Sequence, residues 1–220
     1  MPTYLVTGAN RGIGLEYCRQ LQQRGDNVIA VCRSVSDELK NLGVQIETDI
    51  DITTESIAQL VKRIDGKQID VLINNAGIIE QVSLDNLNVD SIRRQFEVNA
   101  LSPLRLTHAL LNNLKTGSKI VMMTSRMGSI DDNTSGGSYG YRMSKVALSM
   151  AGKSLSHDLK SKGIAVAILH PGLVKTRMTG FTDSGITTAE SVKGLLARID
   201  QLNLENTGTF WHSNGEILPW

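Results

Sequence analysis

With two cysteines, four prolines and 4% aromatic residues, the chain lacks the material for several kinds of protein. Two cysteines cannot frame a disulfide scaffold. Cys18 and Cys32 instead fit a reducing compartment, and Cys18 falls among apolar helix positions where packing explains it. Lysine plus arginine (23) balances aspartate plus glutamate (22), so no basic footprint for nucleic acid is present. No run of 18 apolar residues occurs, so no membrane-spanning helix is expected. A strand begins almost at the first residue, leaving no room for a leader, and a cytoplasmic location is expected. Repeats, low-complexity tracts and linkers are missing too. The 220 residues suit one domain, 1–220, with a full core.

What the chain does have is alternation. After a first strand at Tyr4-Leu5-Val6, strand-like runs recur at Asn27–Cys32, Val44–Glu47, Val71–Asn74, Lys119–Thr124, Ile164–His170 and near Thr209–Trp211. Their valine and isoleucine content predicts strands buried on both faces, as in a parallel sheet. Helical patterns fall between them, the longest over Val89–Leu114, with others over Tyr139–Lys160 and Thr188–Leu202. The pattern predicts an α/β fold, a doubly wound parallel sheet of the Rossmann type. Ligands of such sheets bind beyond the carboxyl ends of the strands, at the switch point.

Two motifs carry chemistry. Thr7-Gly8-Ala9-Asn10-Arg11-Gly12-Ile13-Gly14 follows the first strand and opens a helix with Leu15, Cys18 and Leu21 on one face. Strand, glycine loop and helix form the setting in which such a loop cradles a pyrophosphate. Glycines allow close backbone approach, and the helix N-terminus offers free N–H groups and a partial positive charge. Tyr141 and Lys145 lie four residues apart, on one helix face. A free tyrosine ionises near ~10, and an ammonium beside it is expected to lower that value and make the pair an acid/base device. Standing alone, the pair would be ordinary surface packing; the loop upstream gives it weight. The loop, Asn74-Asn75-Ala76-Gly77, Ser125 and Pro171-Gly172 all follow strands and should line one rim.

These motifs, taken in order with Asp51-Ile52, Asn99 and Thr176, resemble the short-chain dehydrogenase/reductase family over nearly the whole chain. The stretch Gly128-Ser129-Ile130-Asp131-Asp132-Asn133 before Gly136-Gly137-Ser138-Tyr139, and the ending Gly215-Glu216-Ile217-Leu218-Pro219-Trp220, resemble its C-factor and sniffer-type carbonyl reductases. The resemblance implies reduction of a small-molecule carbonyl, with Tyr141 as general acid and Ser125 donating to the same oxygen. Lys145 would tune Tyr141 and bond the nicotinamide ribose. Asn99 would hold a water linking Lys145 to solvent. The family's serine usually lies about a dozen residues before the tyrosine. Ser129 has that spacing, whereas Ser125 lies sixteen residues before Tyr141 but ends the strand Ile120–Ser125, which favours it. Ser129 and Ser138 stay as alternatives.

An NAD-specific fold places an acid at the end of strand two. Here Val31-Cys32-Arg33-Ser34 has none, and Arg11 and Arg33 suit a 2′-phosphate, so NADP(H) is the expected cofactor. Asp51 and Ile52 are expected at the adenine. Asn75, Ala76 and Gly77 should approach the adenosine ribose, and Val174 and Thr176 the carboxamide or phosphates. The segment Arg177–Gly185 is a short candidate lid with Met178 and Phe181. Apolar residues on more than one face of the two long helices, including Leu101, Leu104, Leu106, Met143, Val146 and Met150, suggest a homodimer that covers the outward ones. The competing expectation is a cofactor-binding regulator of the C-factor type with little turnover.

Overall fold

The computed structural model describes residues 1–220. Its seven strands are β1 Thr3–Thr7, β2 Asn27–Val31, β3 Gln45–Glu47, β4 Ile69–Asn74, β5 Leu114–Met123, β6 Ala165–His170 and β7 Phe210–His212. All pair in parallel in the order β3-β2-β1-β4-β5-β6-β7. The chain therefore starts mid-sheet, runs outward to β3, and returns to lay β4 on the other side of β1. That reversal opens a crevice at the carboxyl ends of β1 and β4. The helices are α1 Gly12–Gln23, α2 Asp37–Lys40, α3 Ser56–Arg63, α4 Val89–Phe96, α5 Ser102–Ala109, α6 Tyr139–Asp158 and α7 Thr188–Gln201.

Alternate strand residues feed two cores. Tyr4, Val6, Val71, Ile73, Val121 and Ala167 pack under α1 and α7, against Leu15, Cys18, Leu21, Val192, Leu195 and Ile199. Leu5, Ile29, Leu72, Ile120, Met122 and Val166 face the other way, against Ile57, Leu60, Leu106 and Leu148 of α3, α5 and α6. The period of two sends neighbours to opposite faces, and helices cover both. Each such side chain contributes about 1.5–3 kcal/mol relative to exposure. No helix is long and apolar enough to cross a membrane.

The predicted helix Val89–Leu114 needs two corrections. It ends at Ala109, and after a short turn the chain enters β5 at Leu114, not Lys119. Asn113 causes the turn: its amide donates to the carbonyls of Ile64 (3.2 Å) and Lys67 (2.8 Å) and pins the chain beside α3. The helix is also interrupted by a π-turn at Glu97–Leu101, where the Ser102 N–H bonds Glu97 O. Pro103 explains the interruption. It has no N–H for the carbonyl four residues back, that of Asn99, and its ring crowds that carbonyl. Of the apolar residues on these helices, Leu101, Leu104, Met143 and Met150 face outward, Val146 is half-buried and Leu106 is fully buried.

Candidate active site

The loop after β1 is shaped by contacts that forbid side chains. A Cβ on Gly14 would lie 2.2 Å from Gly8 O, and one on Gly8 would lie 3.0 Å from Ala76 Cα. The β1 and β4 loops are also stitched together: Thr7 Oγ1 accepts from the N–H groups of Asn75 and Ala76 (3.0 Å each), and Asn75 Nδ2 donates to Thr7 O at 2.9 Å. Arg11 is the N-cap of α1 but gives it no side-chain cap, and the first turn holds no acid. Its N–H groups thus remain available to an anion. Thr176 leans over the same loop, with Cγ2 3.6 Å from where a Gly12 Cβ would stand. Asn10 and Ile13 are half-buried in the loop wall.

Beyond β2 the expected residues separate by exposure. Arg33 and Ser34 are exposed, Asp51 is half-buried and Ile52 buried. Arg33 stands 3.7 Å from the Asp51 carboxylate, which also accepts from Thr53 N (2.9 Å) and Thr53 Oγ1 (2.7 Å). Burial raises the Asp51 pKa, but the Thr53 bonds and Arg33 outweigh it and the net shift is downward. After β6, Pro171 O accepts the hydroxyls of Ser191 (2.7 Å) and Ser213 (3.1 Å), and Gly172 takes a left-handed φ of 87°. Val174 is buried, and its carbonyl accepts the Thr179 hydroxyl at 2.6 Å.

Asn99, Ser125, Tyr141 and Lys145 are all buried at the same rim. Ser125 caps the short turn Arg126–Gly128, accepting from Met127 N at 3.1 Å, and its hydroxyl is near enough to the Tyr141 phenol to lower its pKa. Ser129 is buried too, but its hydroxyl accepts from Asp132 N (3.1 Å), and Ser138 reaches Gln81 (3.3 Å). Of the three serines, Ser125 is the one beside Tyr141. Lys145 Nζ donates to Met123 O at 2.8 Å and lies 5.7 Å from the Tyr141 ring centroid. Asn99 Oδ1 accepts from Ile78 N (2.8 Å), while Nδ2 donates to Ile78 O (2.9 Å) and Ser144 Oγ (3.0 Å). Its amide thus clamps the β4 loop to α6, and a water for Lys145 must find another partner. Gly77 fits between: a Cβ there would be 3.2 Å from Asn99 Oδ1 and 3.5 Å from Lys145 Nζ.

The electrostatics differ from expectation. Burial pushes the Tyr141 phenol up to about 12, against a smaller downward pull from the Ser125 hydrogen bond. Burial also pushes the Lys145 ammonium down to about 8. An ammonium lowering the phenol was expected, but desolvation governs both groups in the unliganded chain. His170, at the end of β6, packs edge-on against His212 (4.9 Å, 77°). Burial, then His212 and Arg126, lower it to about 3, so it stays neutral.

Several residues here carry no sequence signal of their own. Thr7 joins two loops, and Ser144 links Asn99 to the Tyr141 carbonyl (2.8 Å). Gly128 lets the Ser125 loop lie on α6, since a Cβ there would meet the Lys145 carbonyl carbon at 2.9 Å. Two surface depressions of about 550 and 530 Å³ lie at the amino ends of the strands and include none of these residues.

Comparison with known proteins agrees with this geometry. The family model described as short chain dehydrogenase matches residues 2–186. The chain is 41% identical to the 1-hydroxy-2-glutathionyl-2-methyl-3-butene dehydrogenase of Rhodococcus sp. (strain AD45), with 100% of both chains covered. It is 45% identical to the C-signal protein of Myxococcus xanthus over 69% of this chain and 93% of that one. The NADPH-bound carbonyl reductase from chicken fatty liver superposes with a TM-score of 0.90 at 30% identity, covering 100% of this chain and 99% of that one. The carbonyl reductase Sniffer of D. melanogaster gives 0.90 at 29% identity, with 100% of both covered. The chain belongs to the short-chain dehydrogenase family.

Proposed function

We propose that this oxidoreductase is an NADPH-dependent carbonyl reductase that turns an aldehyde or ketone into an alcohol, with Tyr141 as the proton donor. The observation that carries the reading is the buried Ser125–Tyr141–Lys145 cluster on the rim that also holds the glycine loop. The loop fits a nicotinamide dinucleotide: Gly8 and Gly14 let it close tightly on itself and on the Asn75–Ala76 segment, and the α1 N-terminus has free donors. Gly8, Asn10, Arg11, Gly12, Ile13 and Gly14 would hold the phosphates together with Thr176. Ile52, Asp51 and the Asn75–Gly77 segment would hold the adenosine, and Lys145, Pro171, Gly172 and Val174 the nicotinamide end. Bound there, the reduced nicotinamide supplies the hydride for the carbonyl carbon.

The remaining work falls to side chains. Ser125 donates to the carbonyl oxygen and stabilises its developing charge. Tyr141 gives that oxygen its phenolic proton. A pKa of about 12 keeps the phenol protonated at neutral pH, which suits an acid in the reductive direction. Lys145, ionising at about 8, carries the proton reserve behind it. A water serving Lys145 would use the Asn99 carbonyl, which Pro103 deprives of its α-helical donor.

Arg11 and Arg33 support NADPH over NADH. Both are exposed, the residues that end β2 include no acid, and the 3.7 Å approach of Arg33 to Asp51 is loose enough to release for a 2′-phosphate. Met178 and Phe181 are exposed on the lid, leaving an open apolar mouth. The Rhodococcus relative's name places a glutathionyl alcohol among its substrates. An open mouth is compatible with a bulky substituent of that kind. Leu101, Leu104, Met143 and Met150 would be covered by a second copy of the chain, which light scattering tests.

A regulator with little turnover is the second reading, favoured by the likeness to C-signal. NADPH consumption against a panel of aldehydes, ketones and quinones separates the two. Tyr141→Phe should cut carbonyl reduction by about 10²–10⁴-fold, the usual loss when a general acid is removed, while NADPH binding stays within a few-fold. Full turnover by that variant would overturn the assignment.

A further inference from the structure

Residues 210–220 form a hairpin at the edge of the sheet. The His212 N–H donates to Glu216 O and the Leu218 N–H to Phe210 O, both at 2.8 Å, while Trp211 pairs antiparallel with Ile217. Leu218 and Phe210 are buried with Ile168. Trp220 stacks on Phe210 (centroids 5.6 Å apart), and Lys153 of α6 lies over its indole at 5.9 Å. The hairpin is therefore fixed to both the sheet and α6.

Its outer strand touches the loop that follows Ser125. Trp220 O accepts from Asp131 N at 2.9 Å, and the Glu216 carboxylate accepts from Arg126 Nη2 at 2.9 Å. Arg126 Nε faces Asp132 at 3.2 Å. From the other side, Arg142 of α6 donates to Gly136 O (3.1 Å) and Ser135 Oγ (2.8 Å). Between these anchors, residues 130–136 are exposed and belong to no strand or helix.

We propose that Glu216 and Arg126 are positioning residues for proton transfer: the hairpin holds Arg126, and Arg126 holds the turn that aims the Ser125 hydroxyl at Tyr141. This inference rests on the carbonyl-reductase reading of that site. Arg126 follows Ser125 directly and opens the turn that Ser125 caps, so a shift of its backbone moves the serine. The side chains of Arg126 and Glu216 are 42% and 50% exposed. Pairs this open contribute little to stability, so the contact's effect is on where the turn sits. Gly128 and Ser129 pack the near side of the loop on α6, but residues 130–136 beyond them are exposed, so the hairpin contacts hold the far side.

The test is Glu216→Gln, which keeps the side chain's size and removes its charge, alongside Glu216→Ala. Amide hydrogen exchange at Met127 and Asp131 should quicken about tenfold or more, while β6 amides keep their protection. Carbonyl turnover should fall about tenfold through kcat, as expected for a misplaced donor, with NADPH affinity and thermal midpoint unchanged. Unchanged exchange at Met127 overturns the proposal. Faster exchange with unchanged kcat overturns it too, because the turn would then be held but not aimed. A native chain without turnover on any carbonyl sinks the reductase reading instead, and the exchange experiment still decides whether the hairpin holds the turn.

Discussion

Replacing Lys145 by methionine should stabilise the protein while destroying its activity. Methionine matches the length of the lysine stem and carries no charge. The Lys145 ammonium ionises near 10.5 when free and at about 8 in its buried site. At ~1.4 kcal/mol per pH unit, folding with a charged Lys145 costs about 3 kcal/mol. The bond from Nζ to Met123 O, lost in the variant, returns ~1 kcal/mol of that. The variant should therefore be more stable by ~2 kcal/mol at pH 7, which for a domain of this size raises Tm by about 4–8 °C. The pH dependence checks the cause. Between about 8 and 10.5 the unfolded chain holds a proton on Lys145 that the native chain has released, so native stability rises with pH through that window. The penalty is full below about 8 and gone above 10.5. The advantage of the variant should thus be constant at acid and neutral pH and fade toward alkaline pH. Urea or thermal unfolding of both proteins without cofactor, at pH 7 and again near pH 10, measures it. A variant less stable than the native chain at pH 7, or a gap that does not narrow, would refute the reasoning.

The other expectations concern cofactor, serine and direction. Arg33→Asp should weaken NADPH binding by a few kcal/mol and leave NADH nearly unchanged, because it replaces an attraction to the 2′-phosphate by repulsion; tighter NADH than NADPH binding by the native chain would remove the argument. Ser125→Ala should lower kcat by more than Ser129→Ala, with both falling less than Tyr141→Phe. Steady-state rates giving the reverse order would place the donor on Ser129. Because the Tyr141 phenol is raised to about 12, alcohol oxidation, which needs its deprotonated form, should climb with pH while reduction does not. Initial rates in both directions across the alkaline range test this, and a flat oxidation profile would count against a tyrosine base.

The strands were legible because their alternation is two-sided: Tyr4 and Val6 go to one core, Leu5 to the other, and the valine-rich runs have no polar face. The glycine loop was legible because Gly14 cannot be anything else where an added Cβ would lie 2.2 Å from Gly8 O. The long helix was misjudged at its end because Leu110, Leu111 and Leu114 continue an apolar pattern that the side chain of Asn113 breaks through a tertiary contact with α3. The π-turn at Asn99 had a visible cause in Pro103, four residues on, which the periodicity of the segment concealed. The anchoring of Arg126 by Glu216 could not be read at all. It joins residues separated by 90 positions, and the ending that contains Glu216 gives no sign of what its carboxylate touches.

The energetics of the site bear on whether the chain is an enzyme or a regulator. Binding a dinucleotide needs the glycine loop, the α1 N-terminus and a complementary surface for the adenosine. None of these requires a phenol raised to about 12, and a cofactor contact at the nicotinamide end does not require that Lys145 be buried with one protein hydrogen bond. A module without proton transfer would be more stable with methionine in place of Lys145, whereas Tyr141 is a neutral phenol in both folded and unfolded chains at pH 7 and its raised pKa costs nothing there. Retaining a buried Lys145 beside Tyr141, with Asn99 and Ser144 bracing the helix and loop that carry them, keeps a destabilising ammonium where proton transfer would use it. Lys145→Met should gain stability on either reading, so rate decides between them: in Tyr141→Phe a regulator would keep its function, whereas a reductase would lose turnover.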